Sequence, residues 1–219
     1  MEEYIGILKN TKIFSGVNGD ELKAMLGCLC AKTKRYGKGE YVLFRGEELE
    51  KIPILVEGKL HIQNEDYWGN RSILGNISVG EMFGEAYAVP ESGPMLNDVV
   101  AVEESTVMFL DVKKLMTTCF SGCRFHSLVI RNLFYEISDK NRKLVQKLNH
   151  MSKRSTREKL ISYLSEEAER QKNAAFEIPF NRQQLADFLS VDRSAMSAEL
   201  CKMRDEGMIK FQKNRFELL

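Results

Sequence analysis

The chain has 219 residues, of which 43% are hydrophobic, and its formal net charge is only +1. This length allows one large domain or two small ones, and the hydrophobic content is that of a globular protein with a buried core. The near-zero charge excludes a basic field over the whole molecule, so contact with nucleic acid would depend on charges placed locally.

Cysteine usage and the N-terminal segment indicate the cellular compartment. The five cysteines are an odd number, and the opening MEEYIGILKN is too short and too acidic for a signal peptide. No apolar run in the sequence approaches the roughly 20 residues that a membrane-spanning helix requires. We therefore expect a cytoplasmic protein that has no membrane partner.

The hydrophobic pattern changes at about residue 35. Residues 5–29 place isoleucine, leucine and methionine at helical spacing, which predicts short helices. Residues 35–110 instead contain short alternating runs that glycine interrupts at close intervals, as in YGKG (36–39) and EGK (57–59). Turn signals at such intervals favour an all-β roll or barrel.

A long helix is predicted after the roll. Hydrophobic residues recur at alternating intervals of four and three, with mostly charged or polar neighbours, which is typical of a coiled-coil seam. The seam positions are Ile130, Phe134, Ile137, Asn141, Leu144 and Leu148. The amide of Asn141 would pair with its symmetry mate and fix the register. We expect this helix to form a homodimer, and packing of the helix on its own domain is the alternative.

The last part of the chain predicts a helix-turn-helix followed by a hairpin. Capping residues mark the starts of three helices, and they are Ser155, Asn181 and Asp192. The helix that Asp192 caps ends at Gly207, where the left-handed backbone conformation is accessible. Alternating residues predict short strands at 176–180, 208–211 and 215–218. This order is the layout of a winged helix-turn-helix.

The second helix of this motif carries candidate contacts to DNA near its N-terminus. With Met196 and Leu200 facing inward, Arg193, Ser194 and Ser197 face outward. An arginine can donate two hydrogen bonds to guanine, and a serine hydroxyl can bond to a base or a phosphate. The candidate phosphate contacts are Arg182, Lys202, Arg204, Lys213 and Arg215.

The segment NRQQLADFLSVDRSAMSAELCKMRDEGMI (181–209) closely resembles the DNA-binding segment of the cyclic AMP receptor/FNR (Crp/Fnr) family. The resemblance extends more loosely to PILVEGKLHI (53–62), to SVGEMFGEAYAV (78–89) and to the long helix, in the same order. It implies an α+β fold with an N-terminal β-roll, a jelly roll like that of cyclic-nucleotide-binding domains, at 1–120. A long dimerisation helix at 121–151 and a C-terminal winged helix-turn-helix at 152–219 would follow.

The resemblance also implies a one-component bacterial transcription regulator rather than an enzyme. An effector in the roll would shift the long helices and set two recognition helices one DNA turn apart on a two-fold symmetric operator. Its partners would be double-stranded DNA, a second copy of the chain, a small-molecule effector and RNA polymerase. Arg193 and Ser194 hold base-reading positions of the family, but Ala198 stands where many relatives have an arginine. We therefore expect the operator sequence of this protein to differ from the operators of those relatives.

The effector pocket that the resemblance implies lies in the roll. Its candidate residues are Phe83, Gly84, Glu85, Tyr87, Met95 and Asn97. Relatives that bind cyclic nucleotides neutralise the phosphate with an arginine-serine pair, whereas this chain has Asn97-Asp98 there and no arginine or lysine in residues 90–100. Burying a phosphate without a cation is costly. We expect a small apolar or carboxylate effector rather than cyclic AMP, and the alternative is that these side chains are simply core.

Iron-sulphur and haem sensing are further possibilities within the family. Cys28-x-Cys30, on a predicted helix, and Cys119-x3-Cys123 do not reproduce the cluster motif of FNR, so we expect buried free thiols and no metal site. Haem would need an axial ligand, and His126 near the start of the long helix is a better candidate than His61. The alternative is that His126 is a surface or interface residue. Haem or another small molecule thus stays open as the effector.

Other classes of function have weaker support in the sequence. No Gly-x-Ser-x-Gly elbow, P-loop or His-Glu-x-x-His motif occurs, and the chain has only three histidines, so an enzyme would need a site that no motif reveals. The other alternative is a ligand-binding, haem-sensing or gas-sensing module whose specific DNA binding is weak or lost. Ala198 and the near-zero net charge favour this alternative, and Arg193 opposes it.

Overall fold

The computed structural model of the protein describes residues 2–65, 67–68, 71–89, 91–116 and 124–219. The chain divides into two compact units, an N-terminal unit (Met1–Ser138) and a C-terminal unit (Asp139–Leu219). Each unit buries its own hydrophobic residues.

In the N-terminal unit, short helices precede and follow a set of antiparallel strands. The helices are α1 (Ile5–Lys9), α2 (Gly19–Cys28) and α3 (Val112–Met116). The strands are β1 (Lys32–Tyr36), β2 (Tyr41–Leu43), β3 (Lys51–Glu57), β4 (Leu60–Glu65), β5 (Arg71–Ile77), β6 (Asp98–Ala101) and β7 (Ser105–Asp111). This order confirms the predicted helices and the predicted β-roll.

The strands form two sheets that share one core. One sheet has the order β1-β7-β3 and the other the order β2-β6-β4-β5. Leu55 on β3 pairs with Val107 on β7, and both are fully buried. They belong to the same cluster of buried residues as Leu60 on β4 of the other sheet. The alternation of the sequence thus places one side of each sheet in the core, as in other two-sheet folds.

The turn between β3 and β4 requires a glycine. Gly58 has a φ angle of +85°, a conformation that favours glycine. A Cβ atom at this position would overlap the carbonyl oxygen of Glu104 and Oγ of Ser105. Ser105 is itself buried, and its hydroxyl accepts a hydrogen bond from the N–H of Lys59 at 3.2 Å. Two turns of the roll therefore pack backbone against backbone at Gly58.

Helix α4 (Arg124–Met151) confirms the predicted long helix. Its inner side packs on the N-terminal unit through the buried Val129 and through Asn132, whose Nδ2 donates to the carbonyls of Ile13 at 3.1 Å and Ser15 at 2.8 Å. The predicted seam residues lie on the other side and are exposed, and they are Ile130, Phe134, Ile137, Asn141, Leu144 and Leu148. An exposed apolar stripe of this length is typical of a surface that a partner covers.

The C-terminal unit consists of helices and a small antiparallel sheet in the order β8-β10-β9. Its elements are α5 (Thr156–Gln171), β8 (Ala175–Glu177), α6 (Arg182–Leu189), α7 (Arg193–Asp205), β9 (Ile209–Gln212) and β10 (Arg215–Leu218). The predicted caps are confirmed, since Ser155 and Asn181 form capping boxes and the carboxylate of Asp192 accepts the N–H of Ala195 at 2.7 Å. Gly207 has the expected positive φ angle of +77° after α7.

The last turn of α4 is joined to α5 by His150. His150 is only 2% exposed, with Nδ1 2.8 Å from Oγ of Ser162 and Nε2 3.2 Å from Oε2 of Glu166. Its ring lies edge-on to Tyr163, with 5.7 Å between the ring centroids. A buried imidazole with a partner at each nitrogen has a single favourable orientation. The end of α4 is therefore fixed within the C-terminal unit.

The prediction of buried free thiols is wrong for the described cysteines. Cys28, Cys30 and Cys201 are free but exposed. Leucine and methionine side chains occupy the core side of α2, which leaves Cys28 on the solvent side. Cys30 is also not on the predicted helix, because α2 ends at Cys28 and Cys30 has a φ angle of +47°. Cys119 and Cys123 lie outside the described residues.

The position of His126 differs from the expectation as well. His126, expected at a surface or interface, is only 6% exposed because it shares the inner side of α4 with Val129. Its Nδ1 has no hydrogen-bond partner among the residues that the structure describes. Within the same ranges, no group of three or more His, Cys, Asp or Glu side chains could hold a metal ion. No described helix combines the length and apolar character needed to cross a bilayer.

Candidate nucleic-acid interface

Helices α6 and α7 pack against each other and leave one side of α7 exposed. The buried residues of the two helices are Leu185, Ala186, Leu189, Met196, Leu200 and Met203, and Val191 in the turn is partly buried. The inward positions predicted for Met196 and Leu200 are thus confirmed. Ser190 adopts the left-handed conformation, with φ +51°, where α6 ends. The solvent side of α7 consequently carries Ser194, Ala198 and Cys201 at helical spacing.

A groove of about 710 Å³ lies beside the start of α7 and brings together cations from three parts of the chain. Arg182 begins α6, Arg193 begins α7, and Lys213 is in the turn between β9 and β10. The N-terminus of α6, capped by Asn181, also faces this groove. Positive side chains beside a helix N-terminus favour an anion such as a nucleic-acid phosphate.

Arg182 is held in place by the aromatic rings of the hairpin. Its guanidinium carbon lies 4.8 Å from the ring centroid of Phe211 and 5.1 Å from that of Phe216. Partial burial lowers the pKa of Arg182 from its usual value, although an arginine stays charged in a protein. The residue predicted as a phosphate contact is therefore also a packing residue that links α6 to the hairpin.

We expect the Arg182→Ala substitution to lower both stability and DNA affinity. Loss of the two cation–π contacts should reduce the free energy of unfolding by about 1–2 kcal/mol. Urea denaturation of the intact protein measures this change. Lys213→Ala is the matched control, because it removes a cation of the same groove that is exposed in the hairpin turn. Equal stability of the two variants would contradict the packing role of Arg182.

The serines of α7 differ in their surroundings. Ser194 is exposed on the first turn of the helix, as predicted. Ser197 is partly buried, and its hydroxyl donates to the carbonyl of Arg193 at 2.9 Å. Ser197 thus satisfies its own hydrogen bond within the helix, and a contact with DNA would require rotation of the hydroxyl.

The remaining predicted phosphate contacts are exposed but lie outside the residues lining the groove. Nζ of Lys202 is 3.9 Å from Glu199, and NH2 of Arg204 is 2.8 Å from Asp205. Arg215 is at the start of β10. The Lys202 and Arg204 side chains are themselves exposed, so their contacts with carboxylates contribute little to stability and leave these cations accessible.

Sequence reasoning missed the ion pairs that hold α5 against α7. Arg157 donates to Glu199 at 2.6 Å and to Glu206 at 2.7 Å. Lys159 on the same helix donates to the carbonyls of Leu189 and Ser190, at the turn between α6 and α7. The sequence contains no signal for these contacts, since the partners are 30 or more positions apart.

The predicted effector residues are divided between the core of the roll and its surface. Phe83 and Met95 are buried in the core cluster. Gly84 has a φ angle of +66°, and a Cβ atom there would lie 2.9 Å from Cδ2 of Leu49. Glu85 and Asn97 are partly exposed. Side chains of this chain therefore fill the space beside Phe83, Gly84 and Met95.

Of the predicted effector residues, Tyr87 lines a cavity. This cavity of about 220 Å³ is also lined by Glu48, Leu49, Glu91 and Ser92. The carboxylate of Asp98 accepts the N–H of Arg45 at 2.8 Å and so holds the loop after β2 against β6. Asp98 therefore has a structural partner at the point where relatives that bind cyclic nucleotides place a phosphate-binding serine.

Comparison with known families defines the class of protein. Residues 33–121 match the model of the cyclic nucleotide-binding domain, and residues 158–219 match that of the Crp-like helix-turn-helix domain. The two matches together cover more than two thirds of the chain, in the order that the fold shows. The fold and the groove thus define a regulator with an effector-binding roll and a helix-turn-helix DNA-binding domain. The chain belongs to the Crp/Fnr family of transcription regulators.

Individual relatives are distant. Mouse cGMP-dependent protein kinase 2 is 24% identical over 111 residues, which are 50% of this chain but only 14% of the kinase. Thermus thermophilus catabolite activator protein has a TM-score of 0.55 at 20% identity, covering 95% of this chain and 94% of that chain. CprK in complex with OCPA has a TM-score of 0.64 at 17% identity, covering 90% and 88%. At these identities the likeness concerns the fold.

Proposed function

We propose that the protein is a dimeric transcription regulator that binds a two-fold symmetric operator in double-stranded DNA and responds to an effector in its β-roll. The observation that carries this proposal is the convergence of Arg182, Arg193 and Lys213 on one groove beside the exposed start of α7. Location in the cytoplasm and contact with RNA polymerase at the promoter belong to the same proposal.

Recognition of DNA is divided between two kinds of residue. Arg193 and Ser194, on the exposed first turn of α7, reach base edges in the major groove. Arg182 and Lys213 contact phosphates and fix the position of the helix on the duplex. Ala198 offers a methyl group where an arginine would donate hydrogen bonds, so this position favours contact with a thymine methyl group.

Dimerisation places two such surfaces on one operator. The exposed stripe that includes Phe134, Ile137 and Leu144 on α4 supplies the apolar contact between two copies. Asn141 lies within this stripe and is exposed in the single chain, so its amide is available to the symmetry-related amide. Two recognition helices related by the two-fold axis of the dimer would read the two halves of a palindromic site.

The Arg193→Ala substitution tests whether Arg193 reads the base sequence of the operator. Selection of genomic fragments by the wild-type protein supplies the operator, and titrations then compare operator with unrelated DNA at fixed salt. We expect the variant to lose about 1–3 kcal/mol of binding free energy per half-site on the operator and little on unrelated DNA. Arg154→Ala is the control, since Arg154 is exposed in the same unit and lies outside the residues lining the groove. An equal loss on both DNAs would contradict the base-reading role.

The effector is proposed to be a small molecule without a phosphate. Residues 90–100, where relatives that bind cyclic nucleotides carry the arginine-serine pair, contain no arginine or lysine to neutralise a phosphate, and Asp98 adds a negative charge there. Native mass spectrometry of protein purified without oxygen reports the subunit count and any retained ligand mass together. A dimer with added mass identifies the class of effector, whereas a bare monomer would contradict the dimer.

Thermal unfolding with cyclic AMP tests the exclusion of cyclic nucleotides. A ligand at a hundred times its Kd would stabilise the folded state by about 2.7 kcal/mol. We expect no shift in Tm for the wild-type chain at millimolar cyclic AMP. The double variant Asn97→Arg/Asp98→Ser restores the arginine-serine pair of relatives and is the comparison in which stabilisation should appear. Stabilisation of the wild-type chain would overturn the exclusion.

A further inference from the structure

A thiol and an ammonium group are in direct contact on the surface of the N-terminal unit. Nζ of Lys114 donates to Sγ of Cys30 at 2.7 Å, and Cys30 is exposed. The proposed DNA groove and the cavity beside Tyr87 do not include either residue among their lining. The pair therefore lies outside both of these sites.

The backbone brings these two residues together. Cys30 follows the end of α2, where its N–H bonds to the carbonyl of Gly27 at 3.1 Å. The N–H of Asp111 bonds to the carbonyl of Leu29 at 3.1 Å, and the carboxylate of Asp111 accepts the N–H of Lys114. The segment after α2 and the start of α3 are thus linked by the hydrogen bond from Asp111 to Leu29, the residue that precedes Cys30. The contact does not depend on the side-chain conformations alone.

The charge at Lys114 is favoured by its neighbours. Contact with Cys30 raises the pKa of Lys114 above its usual value, and the charges of Asp111 and Cys28 act in the same direction. A cation in contact with a thiol stabilises the thiolate, which is the nucleophilic form of cysteine. The direct contact at Sγ of Cys30 is with the ammonium of Lys114.

We propose that Cys30 is an oxidation site for small hydroperoxides, with Lys114 as the cation that activates it. The Cys30 thiolate attacks one oxygen of hydrogen peroxide, forming an S–O bond as the O–O bond breaks. The departing hydroxide takes a proton from the Lys114 ammonium and leaves as water. Sulphur is oxidised to a sulfenic acid, the peroxide is reduced, and Lys114 is left as a neutral amine that regains its proton from solvent.

The test measures the loss of each free thiol in the intact native protein during exposure to hydrogen peroxide. Peptide mass spectrometry after alkylation resolves the cysteines, and a cyclic 1,3-dione identifies the sulfenic acid. We expect Cys30 to react about tenfold faster than Cys28 and Cys201, which are also exposed. A rate at Cys30 no higher than at these two would overturn the proposal.

Substitution of the lysine separates activation from simple exposure. Lys114→Met should slow the oxidation of Cys30 about tenfold and leave Cys201 unchanged, while Lys114→Arg, which keeps a cation, should retain most of the rate. The matched control is Lys113→Met, because Lys113 is the adjacent lysine but pairs with Glu50 at 2.9 Å. Similar rates in Lys114→Met and Lys113→Met would show that the ammonium does not activate the thiol.

Discussion

Ile137→Asp is expected to convert the protein from a dimer to a monomer and to abolish operator binding. Ile137 is at the middle of the exposed apolar stripe on α4, between Phe134 and Leu144. In the proposed dimer the substitution would bury one carboxylate from each chain without a cationic partner, at a cost of at least about 3 kcal/mol for each. The dimer should weaken by about four orders of magnitude, which sedimentation or native mass spectrometry would detect.

Gln146→Asp is the matched control for this experiment. Gln146 is exposed on the same helix, two residues after Leu144 and on the opposite side from the seam. The same new charge should therefore leave the dimer intact. A dimeric Ile137→Asp variant would show that α4 packs differently from a coiled coil. Dissociation of both variants would indicate a general effect of negative charge on the helix.

Gly58→Ala should strongly destabilise the N-terminal unit. The added Cβ atom would overlap the carbonyl oxygen of Glu104 and the hydroxyl of Ser105 in the neighbouring turn. Neither atom can move freely, because one is backbone and the other belongs to a buried side chain. With the added strain of a positive φ angle, we expect a loss of about 3–5 kcal/mol, measured by urea denaturation.

Gly39→Ala separates backbone strain from this overlap. Gly39 has nearly the same φ angle, +84°, but a Cβ atom there meets nothing within 4 Å. We expect a loss of about 1 kcal/mol from strain alone. If the two variants lost equal stability, the close approach of the two turns would not be the reason for the glycine at position 58.

Features that depend on residues close in sequence could be predicted. The caps at Asn181 and Asp192 join a side chain to a backbone N–H three residues later, so their geometry is present in the local sequence. The hairpin of β9 and β10 and the buried side of α7 follow from short-range periodicity in the same way. The base-reading candidate Arg193 was found by this reasoning, because position on a helix determines exposure.

Features that join distant parts of the chain could not be predicted. The cations of the groove come from two helix starts and a turn, and only the tertiary fold places Arg182 beside Lys213. Asp98 and Arg45 are 53 positions apart, so the partner that holds Asp98 left no local pattern. The exposure of Cys28 and Cys30 was mispredicted because cysteine is buried on average. The side of α2 on which Cys28 lies depends on how this helix packs, and Cys30 lies beyond the end of the helix.

The separation of the two sides of α7 has a consequence for how this protein changes over evolution. Packing of the C-terminal unit relies on Met196, Leu200 and Met203, whereas Ser194 and Ala198 face solvent. Substitutions at the exposed pair should alter stability by no more than about 0.5 kcal/mol. A lineage can therefore reach a new operator sequence through single mutations, each of which leaves a folded and soluble intermediate.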